Sequence, residues 1–324
     1  MSEFVLFNER HMVDAFGFKN AGATCYFNAV IQSLLSCTSF NSGMVTLSRN
    51  PDYADNPIVH AYLRIISIDF SKKLTIEQKR TAVAGICPDI WAGVASYANS
   101  RDEKIRLNSG QQCAGEGFHI LLQSLENAKP IQSLFEHRYK TNITCLKCNE
   151  VVSNKECSYS LFEIQPTMKM AQLEEFKELD DQYDVAVPMN KFLRKQNGYV
   201  EGFNCPKCND AGDKFSEVNL VMVPEILVVQ SKKYDMTKGL RKTKETTQFP
   251  PIINFNTRND DGNVEYVYEA VAQIEHSGSL AGGHYWAVCK RKDGWYKLND
   301  RSISPDKFKP TPNTYIVFYH IMSA

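Results

Sequence analysis

Two Cys-x-x-Cys pairs, Cys145-Leu-Lys-Cys148 and Cys205-Pro-Lys-Cys208, constrain this chain more than any other feature. Four thiolates suit the tetrahedral preference of structural zinc, with two ligands from each tight knuckle. To share one ion, the knuckles must meet across the 56 residues between them. That gap exceeds the usual zinc-ribbon spacing, and a redox Cys-x-x-Cys is the competing reading. Two copies without a thioredoxin-like context favour the metal. Four cysteines leave no open position for water, so such a zinc is structural and not the catalyst.

The remaining cysteines bear on the compartment. Ten thiols in 324 residues are better explained by a reducing environment than by a disulfide framework, which implies cytoplasm or nucleus. MSEFVLFNERH, the first eleven residues, lacks the basic flank and apolar run of a secretory signal. The most apolar stretch, Val218 to Val229, is interrupted by Asn219, Pro224 and Glu225. It falls well short of the ~20 residues a membrane span needs. Lys plus Arg and Asp plus Glu each number 37. A neutral chain lacks the basic surplus that phosphate neutralisation requires, so neither nucleic acid nor membrane is expected as a partner.

Residues 15 to 125 read as mainly helical, because Phe27, Val30, Ile31, Leu34 and Leu35, and again Phe118, Leu121, Leu122 and Leu125, recur at helical spacing. From about residue 131 the texture changes to short runs rich in Val, Ile, Tyr and Phe. EILVVQ (225–230), EYVYEAVAQI (265–274), HYWAVCK (284–290) and TYIVFYH (314–320) read as strands. Helices followed by strands predict an α+β fold. The acidic stretch 173–184 and the basic stretch 231–244 read as solvated loops or hairpins.

The sharpest local signal is GFKNAGATCYFNAVIQSLL, residues 17 to 35. Gly17 and Gly22 punctuate a loop, and the helical pattern starts right after Cys25. At a helix N-terminus the macrodipole and unpaired N–H groups favour a thiolate. The same groups can hold an oxyanion, with Asn20 as a side-chain donor just upstream. A small buried cysteine is the plain alternative. A thiolate nucleophile needs a base, and of seven histidines His284 has the most suggestive setting, after Gly282 and Gly283 at the start of a strand. His276, eight residues earlier, competes with it. WYKLND then offers Asn299 and Asp300, either able to hold an imidazole. A tight turn at Asp293–Gly294 pairs His284 with a residue near 302. Asn299 is then about three residues off register, roughly 10 Å at strand rise, and a bent hairpin is required.

Taken together, these blocks resemble the ubiquitin-specific protease family of papain-like deubiquitinases, in family order over roughly residues 15 to 322. NAGATCYFNAVIQSL resembles the cysteine box, which implies Cys25 as nucleophile and Asn20 as oxyanion donor. GGHYWAV resembles the histidine box and implies His284 as general base. WYKLND matches the block carrying the third catalytic residue, here Asn299, with Asp300 as a supporting group. VPEILVVQSKKYD with the later FPP resembles a palm strand of the family. The resemblance implies helical thumb (about 15–130), zinc-ribbon-like β fingers (about 131–222) and β-sheet palm (about 223–324), after an extension at 1–14. It also implies a zinc between the finger strands at Cys145, Cys148, Cys205 and Cys208, and ubiquitin or ubiquitinated proteins as partners. Substrate contacts are implied for Gln112, Glu116, His276, Gly282, Gly283 and Tyr285. GQQCAGEGFHILLQSL (110–125) departs from the family: Cys113 stands at the position of an Asp that grips the ubiquitin tail, and Gly117 at that of an aromatic. A thiol cannot accept the same charge-assisted hydrogen bonds. Another ubiquitin-like modifier, or a non-catalytic ubiquitin-binding scaffold, therefore stands beside the deubiquitinase reading.

Overall fold

The computed structural model describes residues 12–100, 112–125, 127–164, 198–200, 204–212, 214–235, 241–242, 247, 249–259, 262–279 and 282–323. The acidic stretch 173–184 lies outside them. Among the described residues seven α-helices come first: α1 (Cys25–Leu35), α2 (Thr38–Leu47), α3 (Pro57–Phe70), α4 (Ile76–Val83), α5 (Ile86–Ser100), α6 (Ala114–Ser124) and α7 (Lys129–Gln132). The strands follow as β1 (His137–Cys145), β2 (Val151–Tyr159), β3 (Phe162–Ile164), β4 (Gly198–Val200), β5 (Lys214–Met222), β6 (Ile226–Ser231) and β7 (Tyr234–Asp235). They continue with β8 (Arg241–Lys242), β9 (Ile252–Asn259), β10 (Gly262–Ser279), β11 (Gly282–Arg291), β12 (Gly294–Asn299), β13 (Ser302–Asp306) and β14 (Thr314–Ser323). The fold is α+β; the runs at 265–274, 284–290 and 314–320 lie within β10, β11 and β14, and the run at 225–230 matches β6 but for Glu225.

Local chemistry starts the helices where the chain needs them. Asn56 accepts from the backbone N–H groups of Ile58 and Val59 while Pro57 opens α3, the favoured arrangement for a first turn. Thr75 and Gln78 form a reciprocal capping box on α4. Helix α1 differs from the rest because all eleven of its residues are buried. A helix that is apolar nearly all round belongs inside, and α1 packs against β11, β12, α2, α5 and α6.

The main sheet runs β13-β12-β11-β10-β14-β6-β3, with β9 also paired to β10. Both faces of its central strands are covered. Ile226 and Val228 of β6 and Ile316 and Phe318 of β14 face the core beneath the helices. Their alternates Leu227, Val229, Val317 and Tyr319 face a second core with Phe162, Phe249 and Ile253. This explains why those strands read as continuous apolar runs instead of alternating ones. A separate sheet, β2-β1-β5-β4, projects the knuckles. Strand β3 lies within 131–222 yet pairs in parallel with β6 of the main sheet. Met12 and Val13, inside the stretch read as an extension, are buried. No helix among the described residues is long and apolar enough to cross a membrane.

Two glycines set how closely α6 approaches its neighbours. A Cβ on Gly115 would lie 1.9 Å from Gln230 Oε1, and one on Gly117 would lie 2.8 Å from Tyr26 Cε2. Tyr26 thus fills the room that an aromatic residue at 117 would need, and its hydroxyl accepts from Trp91 Nε1 at 3.2 Å. Gly117→Phe is expected to lower stability by about 1–3 kcal/mol through overpacking, read from the urea midpoint. The added variant Tyr26→Ala should return part of that loss, since the two rings compete for one volume; strictly additive effects would show that they do not.

Candidate active site

Cys25 is the first residue of α1 and is 3% exposed. The loop before it is pinned from a distant part of the chain. Phe18 N donates to Asp300 O at 2.8 Å and Lys19 N to Ala84 O at 2.7 Å. Gly17 lies so close to the backbone of Arg301 that a Cβ would fall 2.5 Å from its carbonyl oxygen, so glycine is required there. Asn20 Oδ1 accepts from Thr24 N and Oγ1, each at 3.2 Å. Its Nδ2 donates to Asp300 Oδ2 at 3.0 Å, and Asn28 Nδ2 donates to Asp300 Oδ1 at 2.8 Å. One carboxylate therefore holds both the loop upstream of Cys25 and the helix turn downstream of it.

The other half of the site comes from the β11–β12 hairpin. His284 Nε2 lies 2.6 Å from Asn299 Oδ1. An amide oxygen only accepts, so Nε2 of the imidazole is the donor in this contact. No bent hairpin is needed for this contact, contrary to the sequence-based expectation. Arg291 pairs with Gly294 and Ala287 with Leu298, a register one residue tighter than expected. Asn299 then falls two residues from the position opposite His284, on the same face. Diagonal neighbours of this kind are within reach of long or aromatic side chains. The same face carries Trp286, stacked on His284 with centroids 6.3 Å apart, and Lys297, whose Nζ lies 4.8 Å from the Trp286 ring centroid. Asp300 follows Asn299 in the turn to β13 with φ 48°, a conformation that Asp tolerates better than most residues.

The residues expected to touch substrate divide into two groups. Gln112 and Cys113 lead into α6, where Cys113 is the N-cap and its Sγ lies 2.9 Å from Tyr315 Oη. Glu116 is exposed in the first turn of α6. Gly282 and Gly283 begin β11 opposite Ser279 and Gly278. Gly278 has φ 127°, and a Cβ there would fall 2.4 Å from Gly283 Cα, so the lip of this hairpin has room for backbone only. His276 and Tyr285 are buried beneath it, their rings 4.3 Å apart, and they shape the floor of the hairpin more than they face solvent. Lys242, from the basic stretch, sits over His276 with Nζ 3.2 Å from Nδ1.

The four thiols at Cys145, Cys148, Cys205 and Cys208 have their sulfurs within 4.8 Å of one another. Cys145 to Cys208 measures 3.8 Å and Cys148 to Cys205 3.6 Å. A tetrahedron with ~2.3 Å metal–sulfur bonds has edges near ~3.8 Å, so the donor set fits a metal ion. Backbone N–H groups of Cys208 and Lys207, with the neighbouring thiols, draw the Cys205 thiol down to about 6. Asn149 and Asn209 close the two turns at φ 59° and 51°. Lys147 pairs with Asp210 at 3.1 Å and Lys207 with Glu150 at 2.7 Å, so each knuckle donates a cation to the other. The signal for this symmetry, CLKCNE and CPKCND, was present in a sequence that otherwise shows no repeat.

Asn28 was not singled out from sequence. Its signal was a polar residue within a helix otherwise apolar enough to be buried, where polar groups find hydrogen-bond partners.

A family model described as Ubiquitin carboxyl-terminal hydrolase matches residues 16–319. Ubiquitin carboxyl-terminal hydrolase 15 of Schizosaccharomyces pombe is 22% identical over 309 residues, covering 93% of this chain and 25% of that protein. Ubiquitin carboxyl-terminal hydrolase 8 of Saccharomyces cerevisiae is 22% identical over 356 residues, covering 94% of this chain and 70% of that protein. This chain thus spans a quarter of the first relative's length. Among solved structures, a chain of the SAGA Ubp8/Sgf11/Sus1/Sgf73 DUB module bound to ubiquitin aldehyde superposes with a TM-score of 0.68 at 19% identity, covering 98% of this chain and 71% of that one.

Burial first, then the neighbouring Lys242 ammonium and the His284 ring, lower His276 from 6.5 to about 4. Between those values the unfolded chain binds a proton that the folded chain refuses, so stability falls as pH drops through that window and is level above it. The ceiling for one proton is about 1.4 kcal/mol per pH unit. Urea midpoints measured from pH 7 to 4 should fall less steeply in His276→Gln than in the unaltered protein. Parallel curves would refute the assignment.

Proposed function

This chain belongs to the ubiquitin carboxyl-terminal hydrolase family, and from that membership we propose that it is a thiol-dependent deubiquitinase. It would cleave the isopeptide or peptide bond after the C-terminal glycine of ubiquitin. The carrying observation is that two adjacent residues serve both halves of the site: Asn299 bonds His284, and Asp300 accepts from Asn20 and Asn28, which flank Cys25. His284 Nδ1 takes the thiol proton, and the sulfur of Cys25 attacks the glycine carbonyl carbon. The second N–H of Asn20 Nδ2 and backbone N–H groups at the start of α1 hold the oxyanion. His284 returns the proton to the departing lysine amine, and water, deprotonated by the same imidazole, releases the thioester. Asp300 orients the Asn20 amide, and Asn299 fixes the imidazole tautomer. The backbone-only lip at Gly278 and Gly283 suits a tail ending in Gly-Gly.

Several finer assignments accompany this reading. The metal at Cys145, Cys148, Cys205 and Cys208 is zinc, in a structural role, because four thiolates complete its shell. Thumb, fingers and palm occupy about 15–130, 131–222 and 223–324, with β3 passing to the palm. Cytoplasm or nucleus suits a protein with ten thiols. A second reading, another ubiquitin-like modifier as substrate, is favoured by Cys113: its thiol engages Tyr315 and supplies no carboxylate to a basic tail.

A ubiquitin C-terminal electrophile should form one adduct, located at Cys25 by mass spectrometry. Preferential labelling by the corresponding probe of another modifier would shift the assignment to the second reading. Turnover of a ubiquitin–fluorophore conjugate should vanish in Cys25→Ala and drop by about 10²–10⁴-fold in His284→Ala. Retained turnover in Cys25→Ala would reject the mechanism. The purified protein should contain one zinc per chain by atomic emission; Cys205→Ser should lose the metal and lower the melting temperature. A full complement of zinc in that variant would place the metal elsewhere.

A further inference from the structure

Helix α1 carries a buried polar stripe, Asn28, Gln32 and Ser36, four residues apart and 3% exposed or less. Residues at this spacing share one helix face. Asn28 meets Asp300, while Gln32 and Ser36 both meet Arg291. Arg291 is the last residue of β11, seven positions from His284, and is 1% exposed. Its Nη2 donates to Gln32 O at 3.0 Å and Gln32 Oε1 at 2.6 Å. Its Nη1 donates to Ser36 Oγ and to Lys290 O. Gln32 Nε2 in turn donates to Phe16 O at 2.6 Å, at the head of the loop leading to Cys25.

A buried guanidinium is expensive, and Arg291 has little electrostatic return. Among the described residues no carboxylate pairs with it, and its Nε has no hydrogen-bond partner. Its charge is met by carbonyl and hydroxyl dipoles at the C-terminal end of α1, where a cation is favoured. Ion pairing therefore does not explain its burial; geometry does. We propose that Arg291 is a positioning residue that fixes the axial register of the nucleophile helix against the histidine strand. Asp300 anchors α1 near its start and Arg291 anchors it near its end. Two anchors on one face prevent the helix from pivoting, which a single anchor permits. The planar fork of arginine makes this possible, and a lysine ammonium at the same place cannot span both acceptors.

The proposal rests on Cys25 and His284 acting together, and it is tested by a readout that involves no modifier. In Arg291→Lys, the ratio of Cys25 alkylation rates by iodoacetamide at pH 6 and pH 9 should fall about tenfold, because a shifted sulfur loses its imidazole. Under the proposed activity, kcat per alkylatable Cys25 should fall by a similar factor with KM within about twofold. Ser36→Ala removes one acceptor and introduces no charge; it should move both readouts in the same direction by about threefold, and it carries the test if Arg291→Lys does not fold. A lowered melting temperature with an unchanged alkylation ratio in the folded variants would reduce Arg291 to a packing role and overturn the proposal. If the unaltered protein hydrolyses no modifier while the ratio still falls, the positioning role stands and the proposed activity does not.

Discussion

A single carboxylate, that of Asp300, accepts from two amides that lie 280 and 272 residues away in sequence. Around it the site is assembled from opposite ends of the chain. Removing either amide would leave a partly buried anion short of a donor, and such a deficit costs about 1–3 kcal/mol. The interaction therefore has a small margin and a strict geometry. It also explains why Gly17 must be glycine, since the loop and the turn that carry the partners press backbone against backbone.

Much of the plan was legible because it is written in short periods. Helical spacing after Cys25 located the start of α1 to within a residue, and β-branched runs located the central strands. The parity of the β11–β12 register was not legible. Moving a tight turn by one residue transfers a side chain to the other face of a strand. Only the observed Arg291–Gly294 pairing puts Asn299 and His284 on the same side. Lys242, two strands and many residues from His276, gave no local sign that it would sit over that ring. Contacts between elements far apart in sequence carry no periodic signature, and the Asp300 bridge and the Arg291 fork are of that type.

The departures in α6 show compensation on one side and substitution on the other. At 117 the missing side chain is replaced in space by Tyr26, so the volume stays filled and the helix stays in place. At 113 the change alters chemistry: a weak donor and acceptor engages a tyrosine hydroxyl at the rim of α6, where an acid would present charge. The volume at this wall is filled by a neighbour, while the thiol at 113 itself supplies no charge.

Stability and reactivity are drawn from different parts of the molecule. The knuckles close on themselves through local turns and reciprocal ion pairs that are largely solvent-exposed and individually weak, so the proposed zinc would supply most of their strength. The Asp300 bridge, by contrast, joins residues 280 and 272 positions apart, and such contacts are costly to close because loop entropy opposes them. The helix and the hairpin can each form locally and still leave the sulfur and the ring out of line. The buried polar face of α1 ties these two elements together, because its hydrogen bonds to Asp300 and Arg291 are directional and add to the apolar packing an alignment that both must satisfy.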